Sequence, residues 1–184
     1  DLPPLGFDLI MADPPWHFEL YSAKGQGKSA DAHYATMDLA AIKALPVSHL
    51  ARRDAVLFLW ATWPLLREAY DVIDAWCFRA VTGGAWAKRT KRGKTAFNTG
   101  YRVRNACDPF LIAVTGKPDT SRAERNLIAG LQREHSRKPE EAFRWCERYL
   151  PGAARVELFS RESRPGWSAW GFETGKFDLE GKGR

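Results

Sequence analysis

Runs of apolar residues recur along the chain at intervals that suit buried β-strands. Several of these runs are apolar at consecutive positions, as expected for strands that are covered on both faces of a sheet. The runs are FDLIMA (7–12), AVLFLWAT (55–62), AVTGGAWAK (80–88), PFLIAVTG (109–116) and RVELFS (155–160).

Two segments between these runs have the periodicity of amphipathic helices. The segment 64–76 begins with Pro64 and repeats apolar residues at helical spacing. The segment 138–150 has Pro139 near its start, acidic residues in its first turn, and Pro-Gly after its last apolar residue. Alternating strands and helices predict an α/β fold with a mostly parallel sheet and helices on both faces. We find no interdomain linker, so 1–184 is predicted to be a single domain.

The first apolar run ends on Asp13-Pro14-Pro15-Trp16, at the edge where parallel sheets bind ligands. One interpretation is a rigid turn in which Asp13 caps an amide and Trp16 packs in the core. The other is a clamp for an exocyclic amine. In that clamp the Asp13 carboxylate and the Pro14 carbonyl accept the two N–H groups, Pro15 stiffens the turn, and Trp16 stacks on the base. The position at the ligand-binding edge favours the clamp.

Two long polar connections interrupt the pattern of strands and helices. The first, about residues 17–36, is rich in glycine and small residues, which predicts a mobile loop. The second, about residues 88–105, contains no acidic residue and combines cations with aromatic rings, which predicts a nucleic-acid-binding loop. Its cations are Lys88, Arg89, Lys91, Arg92, Lys94, Arg102 and Arg104, and its rings are Phe97 and Tyr101. A solvated basic loop is the alternative.

Composition narrows the classes of function further. The net charge of +6 agrees with an anionic partner. The three cysteines form no C-x-x-C pair, so neither a metal site nor a disulfide framework is indicated. No apolar stretch is long enough for a membrane span and no secretion signal is present, which predicts a cytoplasmic protein without a membrane partner. No G-x-G-x-x-G follows a strand, so a nicotinamide site is not indicated.

An ordered set of motifs resembles one enzyme family. These motifs are the Asp-Pro-Pro-Trp corner, HYATM, LFLWAT, TGYRVRNACDPFLIAVTGKP, REHSRKPEE, PGAARVELFSR and GWSAWGFE, which together span about residues 7–173. They resemble the S-adenosylmethionine-dependent adenine-N6 methyltransferases of the MT-A (seventy-kilodalton-subunit) family, in the motif order of the β class. The resemblance implies a Rossmann-like methyltransferase fold, S-adenosylmethionine as cofactor, and methylation of adenine N6 in nucleic acid.

The resemblance also implies roles for individual residues. Asp13, Pro14, Pro15 and Trp16 form the catalytic corner. The implied cofactor-binding residues are Asp13, Ser136, Lys138, Glu157, Arg161, Phe172 and Glu173. Lys138 is the implied partner of the methionine carboxylate, and Arg161 with Glu157 is implied to contact the ribose. Tyr34 and Asn105 match positions on the substrate side. A solvated lysine and a surface ion pair are the alternatives for Lys138 and Arg161, respectively.

Two departures from the family bear on the cofactor. Phe172 stands where relatives commonly have asparagine, so Glu173 is expected to carry more of that contact. Only six residues precede the first strand, where relatives usually have an upstream strand with an acidic residue; this predicts a low cofactor affinity.

Several alternatives stay open at the level of sequence. The chain looks closer to bacterial or phage members, so DNA is favoured as the polymer and RNA is the first alternative. A catalytically weak nucleic-acid-binding partner subunit is the second alternative, and methylation of a protein amide or small-molecule amine is the third. The sequence leaves the choice between monomer and dimer open.

Overall fold

The structure is a computed structural model that describes residues 2–16, 36–100, 102–133 and 137–178. Its described residues contain a seven-stranded sheet in the order β5-β3-β4-β2-β1-β6-β7. The strands are β1 (Phe7–Ala12), β2 (Ala51–Trp60), β3 (Arg79–Arg89), β4 (Cys107–Thr115), β5 (Leu127–Leu131), β6 (Arg155–Leu158) and β7 (Trp167–Trp170). Only β4 runs antiparallel to its neighbours β2 and β3 within this sheet; the other neighbouring pairs are parallel.

Helices cover both faces of the sheet. The described α-helices are α1 (Leu39–Lys43), α2 (Leu66–Ala75) and α3 (Glu140–Tyr149), with 3-10 turns at Val47–Leu50 and Trp63–Leu65. Helices α1 and α2 bury Ile42 and Val72 on one face, and α3 buries Phe143 on the other. Both faces of the central strands are apolar because each face lies under a helix. The predicted Rossmann-like α/β fold with a mostly parallel sheet is confirmed.

The five predicted strands and both predicted helices are present, with ends shifted by a few residues. Three short elements were not predicted: β5, β7 and α1 contain only four or five residues each. Such lengths hold too few positions for either periodicity to stand out. The predicted mobile loop lies almost wholly outside the described residues, and the single-domain organisation stays a prediction. No described helix has the length and apolar character needed to cross a membrane.

The chain reverses its winding beside β1. The connection from β1 to β2 packs α1 on one face of the sheet, while α3, which leads into β6, packs on the opposite face. Strands β1 and β6 are parallel neighbours, with Ala12 paired to Leu158 at their carboxyl ends. Such a switch point leaves an open crevice beyond the strand ends, where α/β proteins bind ligands.

Candidate active site

Asp13 and Lys138 form an ion pair in this crevice. Asp13 follows β1 directly, and Lys138 lies just before α3. The Lys138 Nζ is 3.1 Å from Oδ1 of Asp13, and the two side chains are 14% and 26% exposed. Burial raises the pKa of Asp13 above its ordinary value, whereas the charges of Lys138 and Arg161 act in the opposite direction. The carboxylate therefore depends on neighbouring cations for its ionised form.

The two prolines fix a tight turn after Asp13. The carbonyl of Pro14 accepts a hydrogen bond from the backbone N–H of Trp16 at 2.8 Å, and the carbonyl of Pro15 accepts one from Met37 at 3.0 Å. A carbonyl oxygen has two lone pairs, so Pro14 can accept a second donor. The turn therefore holds the Pro14 oxygen in place and leaves it capacity for an amine N–H.

The Trp16 ring is more deeply buried than a ring that stacks on a substrate base needs to be. Its side chain lies in the core with a residue exposure of 5%, and its indole N–H donates to the carbonyl of Trp60 at 3.3 Å. This burial differs from the expectation of a ring open to a base. It matches the alternative interpretation, in which Trp16 anchors the turn, while its contact with a base stays a prediction.

One pocket brings the predicted cofactor residues together with Asp13. It is lined by Asp13, Arg137, Lys138, Phe143, Glu157, Phe159, Arg161, Glu162 and Phe177. The sequence predicted Asp13, Lys138, Glu157 and Arg161 from segments far apart in the chain, and the switch point places them around one cavity. The pocket combines cations and carboxylates with three phenyl rings.

Glu157 is a buried carboxyl group at the end of β6. Burial raises its pKa to about 7, a hydrogen bond from Ser160 and the charge of Arg164 oppose the shift, and the charge of Asp13 adds to it. The Ser160 Oγ lies 2.7 Å from Oε2 of Glu157 and 2.8 Å from the carbonyl of Glu162. A hydroxyl has one proton and cannot donate to both oxygens. The hydroxyl of Ser160 can therefore donate to Glu157 or to the carbonyl of Glu162, but not to both at once.

The backbone after β6 adopts an uncommon conformation at the pocket. Phe159 has φ of 63°, in the left-handed region that non-glycine residues rarely occupy. The next N–H, that of Ser160, donates to the carbonyl of Trp170 at 2.9 Å. A Cβ on Gly171 would lie 2.7 Å from the carbonyl oxygen of Ser160 and 2.8 Å from its nitrogen, so only glycine fits there. This close approach fixes the turn that carries Arg161.

An ionic network that the sequence analysis did not predict supports one wall of the pocket. Arg137 and Arg164 both donate to Glu162, and Arg164 also donates to Glu140 in the first turn of α3. Arg133 lies 2.6 Å from Glu140. Burial opposes ionisation of Glu140, but the hydrogen bonds and charges of Arg164 and Arg133 outweigh it and lower its pKa. The network ties the start of α3 to the segment after β6.

The remaining cofactor predictions have different outcomes. Glu173 pairs with Arg161 at 3.5 Å and with Lys176 at 2.5 Å, close to the pocket. Phe172 is 87% exposed and is not among the residues that line the pocket, and its role stays a prediction. Ser136 and the substrate-side Tyr34 and Tyr101 lie outside the described residues, and their roles stay predictions.

The prediction for Lys88 requires a correction. The sequence analysis placed it among the phosphate-binding cations, but its side chain is 5% exposed and pairs with Oδ1 of Asp108 at 2.9 Å. Lys88 faces the same side of β3 as the buried Trp86, because side chains alternate along a strand. The predicted substrate residue Asn105 also donates to Oδ1 of Asp108, at 2.8 Å. Lys88 is therefore committed to Asp108 and is not part of the exposed cationic surface.

Asp108 is a site carboxylate that the sequence analysis missed. It stands near the start of β4, which lies at the carboxyl edge of β2 because β4 runs antiparallel. A sequence signal was present: an Asp-Pro pair adjoins a buried apolar run at Asp108-Pro109, as it does at Asp13-Pro14.

The other cations of the basic loop form a structured surface. The loop reverses twice, with bridges between Arg89 and Thr95 and between Asn98 and Asn105. Its exposed cations are Lys91, Arg92, Lys94, Arg102 and Arg104, while Arg89 is half-buried. The Arg104 guanidinium lies 5.2 Å from the centroid of the exposed Phe97 ring. The loop is thus joined to the site at its base, through Lys88 and Asn105, and presents cations and an aromatic ring at its surface.

The sequence is similar to those of known proteins. The family model described as MT-A70 matches residues 7–173. A putative N(6)-adenosine-methyltransferase MT-A70-like protein of Medicago truncatula is 30% identical over 90% of this chain and 26% of its own length. The human N(6)-adenosine-methyltransferase catalytic subunit METTL3 is 28% identical over 90% of this chain and 28% of its own length. The type II methyltransferase M.MunI of Mycoplasma sp is 27% identical over 94% of this chain and 79% of its own length. The chain thus spans about a quarter of the plant and human relatives and most of M.MunI.

Proposed function

Because the chain belongs to the MT-A70 family, we propose that it transfers a methyl group from S-adenosylmethionine to the N6 amino group of adenine in nucleic acid. One observation carries the proposal: Asp13, at the end of β1, shares a single pocket with Lys138, Glu157 and Arg161. The predicted amine clamp and the predicted cofactor residues therefore adjoin one another.

The pocket fits S-adenosylmethionine by the chemistry of its side chains. The Lys138 ammonium matches the methionine carboxylate, and the phenyl rings of Phe143, Phe159 and Phe177 match the apolar part of the cofactor. Glu157 and Arg161 match ribose hydroxyls. When bound, the cofactor supplies a methyl group attached to a positively charged sulfur.

The residues of the chain orient the amine and stabilise the charge that it gains. The lone pair of adenine N6 is delocalised into the ring, so the amine is a poor nucleophile while it is planar. Asp13 and the Pro14 carbonyl accept its two N–H groups and draw the nitrogen toward tetrahedral geometry. The Asp13 carboxylate also stabilises the positive charge that develops on N6, and the proton lost from N6 passes to Asp13 or to water. Most of the acceleration comes from this positioning.

DNA is favoured as the polymer. This preference rests on the resemblance to bacterial members, and M.MunI, which is named a type II methyltransferase, is among the relatives. RNA is the alternative. In either polymer a paired adenine must leave its stack to reach the pocket, and the exposed cations beside Phe97 supply phosphate contact and a stacking surface.

Transfer of labelled methyl groups to four matched oligonucleotides tests the proposal: single- and double-stranded DNA and RNA. The wild type is compared with Asp13→Ala and with Asp71→Ala, which removes an exposed carboxylate of α2. We expect label on adenine in one of the four oligonucleotides. The rate of transfer should fall by a factor of about 100 or more in Asp13→Ala and stay unchanged in Asp71→Ala. No transfer to any substrate, together with nucleic-acid binding, would favour the catalytically weak partner subunit instead.

A further inference from the structure

Asp108 is a partly buried carboxylate that the proposed mechanism does not use. Its side chain is 18% exposed. Burial disfavours its ionised form, but the charge of Lys138, the charge and hydrogen bond of Lys88, and the hydrogen bond of Asn105 outweigh burial and lower its pKa. Removing charged groups from water is costly, so an ion pair at this depth is weak evidence for a role in stability alone. A role in positioning explains it better.

Only one oxygen of Asp108 is committed. Lys88 and Asn105 both contact Oδ1, at 2.9 and 2.8 Å. Within the described part of the chain, both contacts fall on this oxygen and none on Oδ2. The carboxylate is therefore fixed in place through Oδ1.

Lys138 links Asp108 to Asp13. Lys138 lies 3.1 Å from Asp13, and among single charges it has the largest effect on Asp108. The charge of Asp108 in turn raises the pKa of Asp13. The Lys138 ammonium is thus within electrostatic reach of two carboxylates at once.

Two packed indole rings lie below the two cations. The Lys138 Nζ is 5.2 Å from the ring centroid of Trp60, and the Lys88 Nζ is 5.3 Å from that of Trp86. The two rings pack edge to face with centroids 6.3 Å apart. Each ring attracts the cation above it, and this attraction helps to hold both ammonium groups beside the carboxylates.

We propose that Asp108 is a positioning residue: fixed by Lys88 and Asn105 beside the two indole rings, its carboxylate competes with Asp13 for the Lys138 ammonium and weakens that ion pair. A cofactor carboxylate can then take Lys138 from Asp13 more easily, which frees Asp13 for the amine. The role given to the cofactor rests on the proposed function, whereas the coupling of the three charges does not.

A direct test is the titration of the Asp13 carboxyl group, followed by carbon-13 NMR in the protein without substrate or cofactor. The signal is assigned by its loss in Asp13→Asn. The charged groups that act on Asp13 are Lys138 before α3, Arg161 and Glu157 at the end of β6, and Asp108 on β4. Asp108→Asn removes a negative charge and leaves Lys138 to pair with Asp13 without competition, and both effects move the Asp13 titration to lower pH. Asp108→Glu retains the charge and restores the wild-type titration.

A second measurement follows the consequence for the cofactor. In Asp108→Asn we expect the KM for S-adenosylmethionine to rise about fivefold, the size expected of one charge interaction at a partly exposed site. Glu124→Gln, which removes a carboxylate paired with Arg148 at the surface, leaves both readouts unchanged. A structural role for Asp108 would lower the melting temperature without moving the Asp13 titration, and that result would overturn the proposal.

Lys138→Met keeps the test decisive if Asp108→Asn does not fold. The shared ammonium lowers the pKa of both carboxylates, so its removal must shift the Asp108 and Asp13 titrations upward together. An Asp108 titration that does not respond would overturn the inference. Absence of methyl transfer in the wild type, by contrast, would count against the proposed function and leave the titration result intact.

Discussion

The Lys138 ammonium lies 3.1 Å from Oδ1 of Asp13. The group that we propose to bind the cofactor carboxylate is therefore paired with the group that we propose to bind the target amine. One lysine cannot serve both carboxylates fully, so occupation of the cofactor site and access to Asp13 are coupled.

Cofactor binding should increase the preference of the protein for a base that carries the 6-amino group. When a cofactor carboxylate draws Lys138 away, Asp13 becomes free to accept an N–H. Two oligonucleotides are compared, one with adenine and one with a purine that lacks the 6-amino group. We expect S-adenosylhomocysteine to raise the preference for the adenine oligonucleotide by about tenfold. One charge-assisted hydrogen bond has an effect of this size. Fluorescence anisotropy with both oligonucleotides measures this preference.

Lys138→Met should show that preference without S-adenosylhomocysteine, because Asp13 is no longer paired. The control is Lys117→Met, which removes an exposed lysine and should behave like the wild type. A wild-type protein that discriminates equally well with and without S-adenosylhomocysteine would contradict the coupling.

Glu157 should make stability fall as the pH rises. Its pKa is about 7 in the folded protein and ordinary in the unfolded chain, so between about pH 4.5 and 7 the folded state holds a proton that the unfolded state has lost. The free energy of unfolding therefore decreases through that window and levels off above it. We expect Glu157→Gln to be more stable than wild type at pH 8 by about 1 to 3 kcal/mol, and to lose this part of the pH dependence.

Melting temperatures at pH 5.5 and pH 8 measure the effect. Glu124→Gln is the control, because the pKa of Glu124 is lowered by Arg148 and the carboxyl is ionised at both pH values. Parallel pH profiles for wild type and Glu157→Gln would show that Glu157 titrates normally.

The exposed part of the basic loop should account for salt-dependent binding. Replacing Arg102 and Arg104 with alanine removes two phosphate contacts, and each contact contributes about 0.9 to the slope of log affinity against log salt concentration. We expect the slope to fall by about 2 in magnitude. The control double variant, Arg53→Ala with Arg67→Ala, removes two exposed cations outside the loop and should retain the slope. An unchanged slope in the Arg102 and Arg104 variant would remove this surface from the nucleic-acid site.

Gly171→Ala should disturb the cofactor pocket through the backbone. Its Cβ would meet backbone atoms of Ser160, at 2.7 and 2.8 Å, and backbone cannot rotate away as a flexible side chain can. We expect a loss of about 1 to 3 kcal/mol in stability and a weaker affinity for labelled S-adenosylmethionine. Gly166→Ala is the control: its φ of 78° disfavours a side chain, but the Cβ meets nothing within 4 Å. It should lower stability and leave cofactor affinity unchanged, and equal cofactor losses in both variants would contradict a local effect of Gly171.

Local sequence was sufficient to place Asp13. An apolar run of strand length ends on this residue, and the carboxyl end of a parallel strand is where ligands bind. Local sequence failed for Lys88: the predicted strand run 80–88 already included this residue, but its charge grouped it with the exposed cations that follow. The strand β3 extends to Arg89, and the alternation of its side chains turns Lys88 inward.

The sequence by itself determined five of the seven described strands, the two longer helices and the order of the motifs, and it indicated the candidate residues for methyl transfer. These features depend on periodicity and on neighbours along the chain. Only the tertiary structure decided which charges meet: Lys138 with Asp13, Lys88 with Asp108, and Ser160 with Glu157. The first two pairs depend on strand order and on which face each helix covers, and the third on the left-handed turn at Phe159. Burial strengthens the interactions between these charges, and the groups become buried only when the sheet and its helices have packed together.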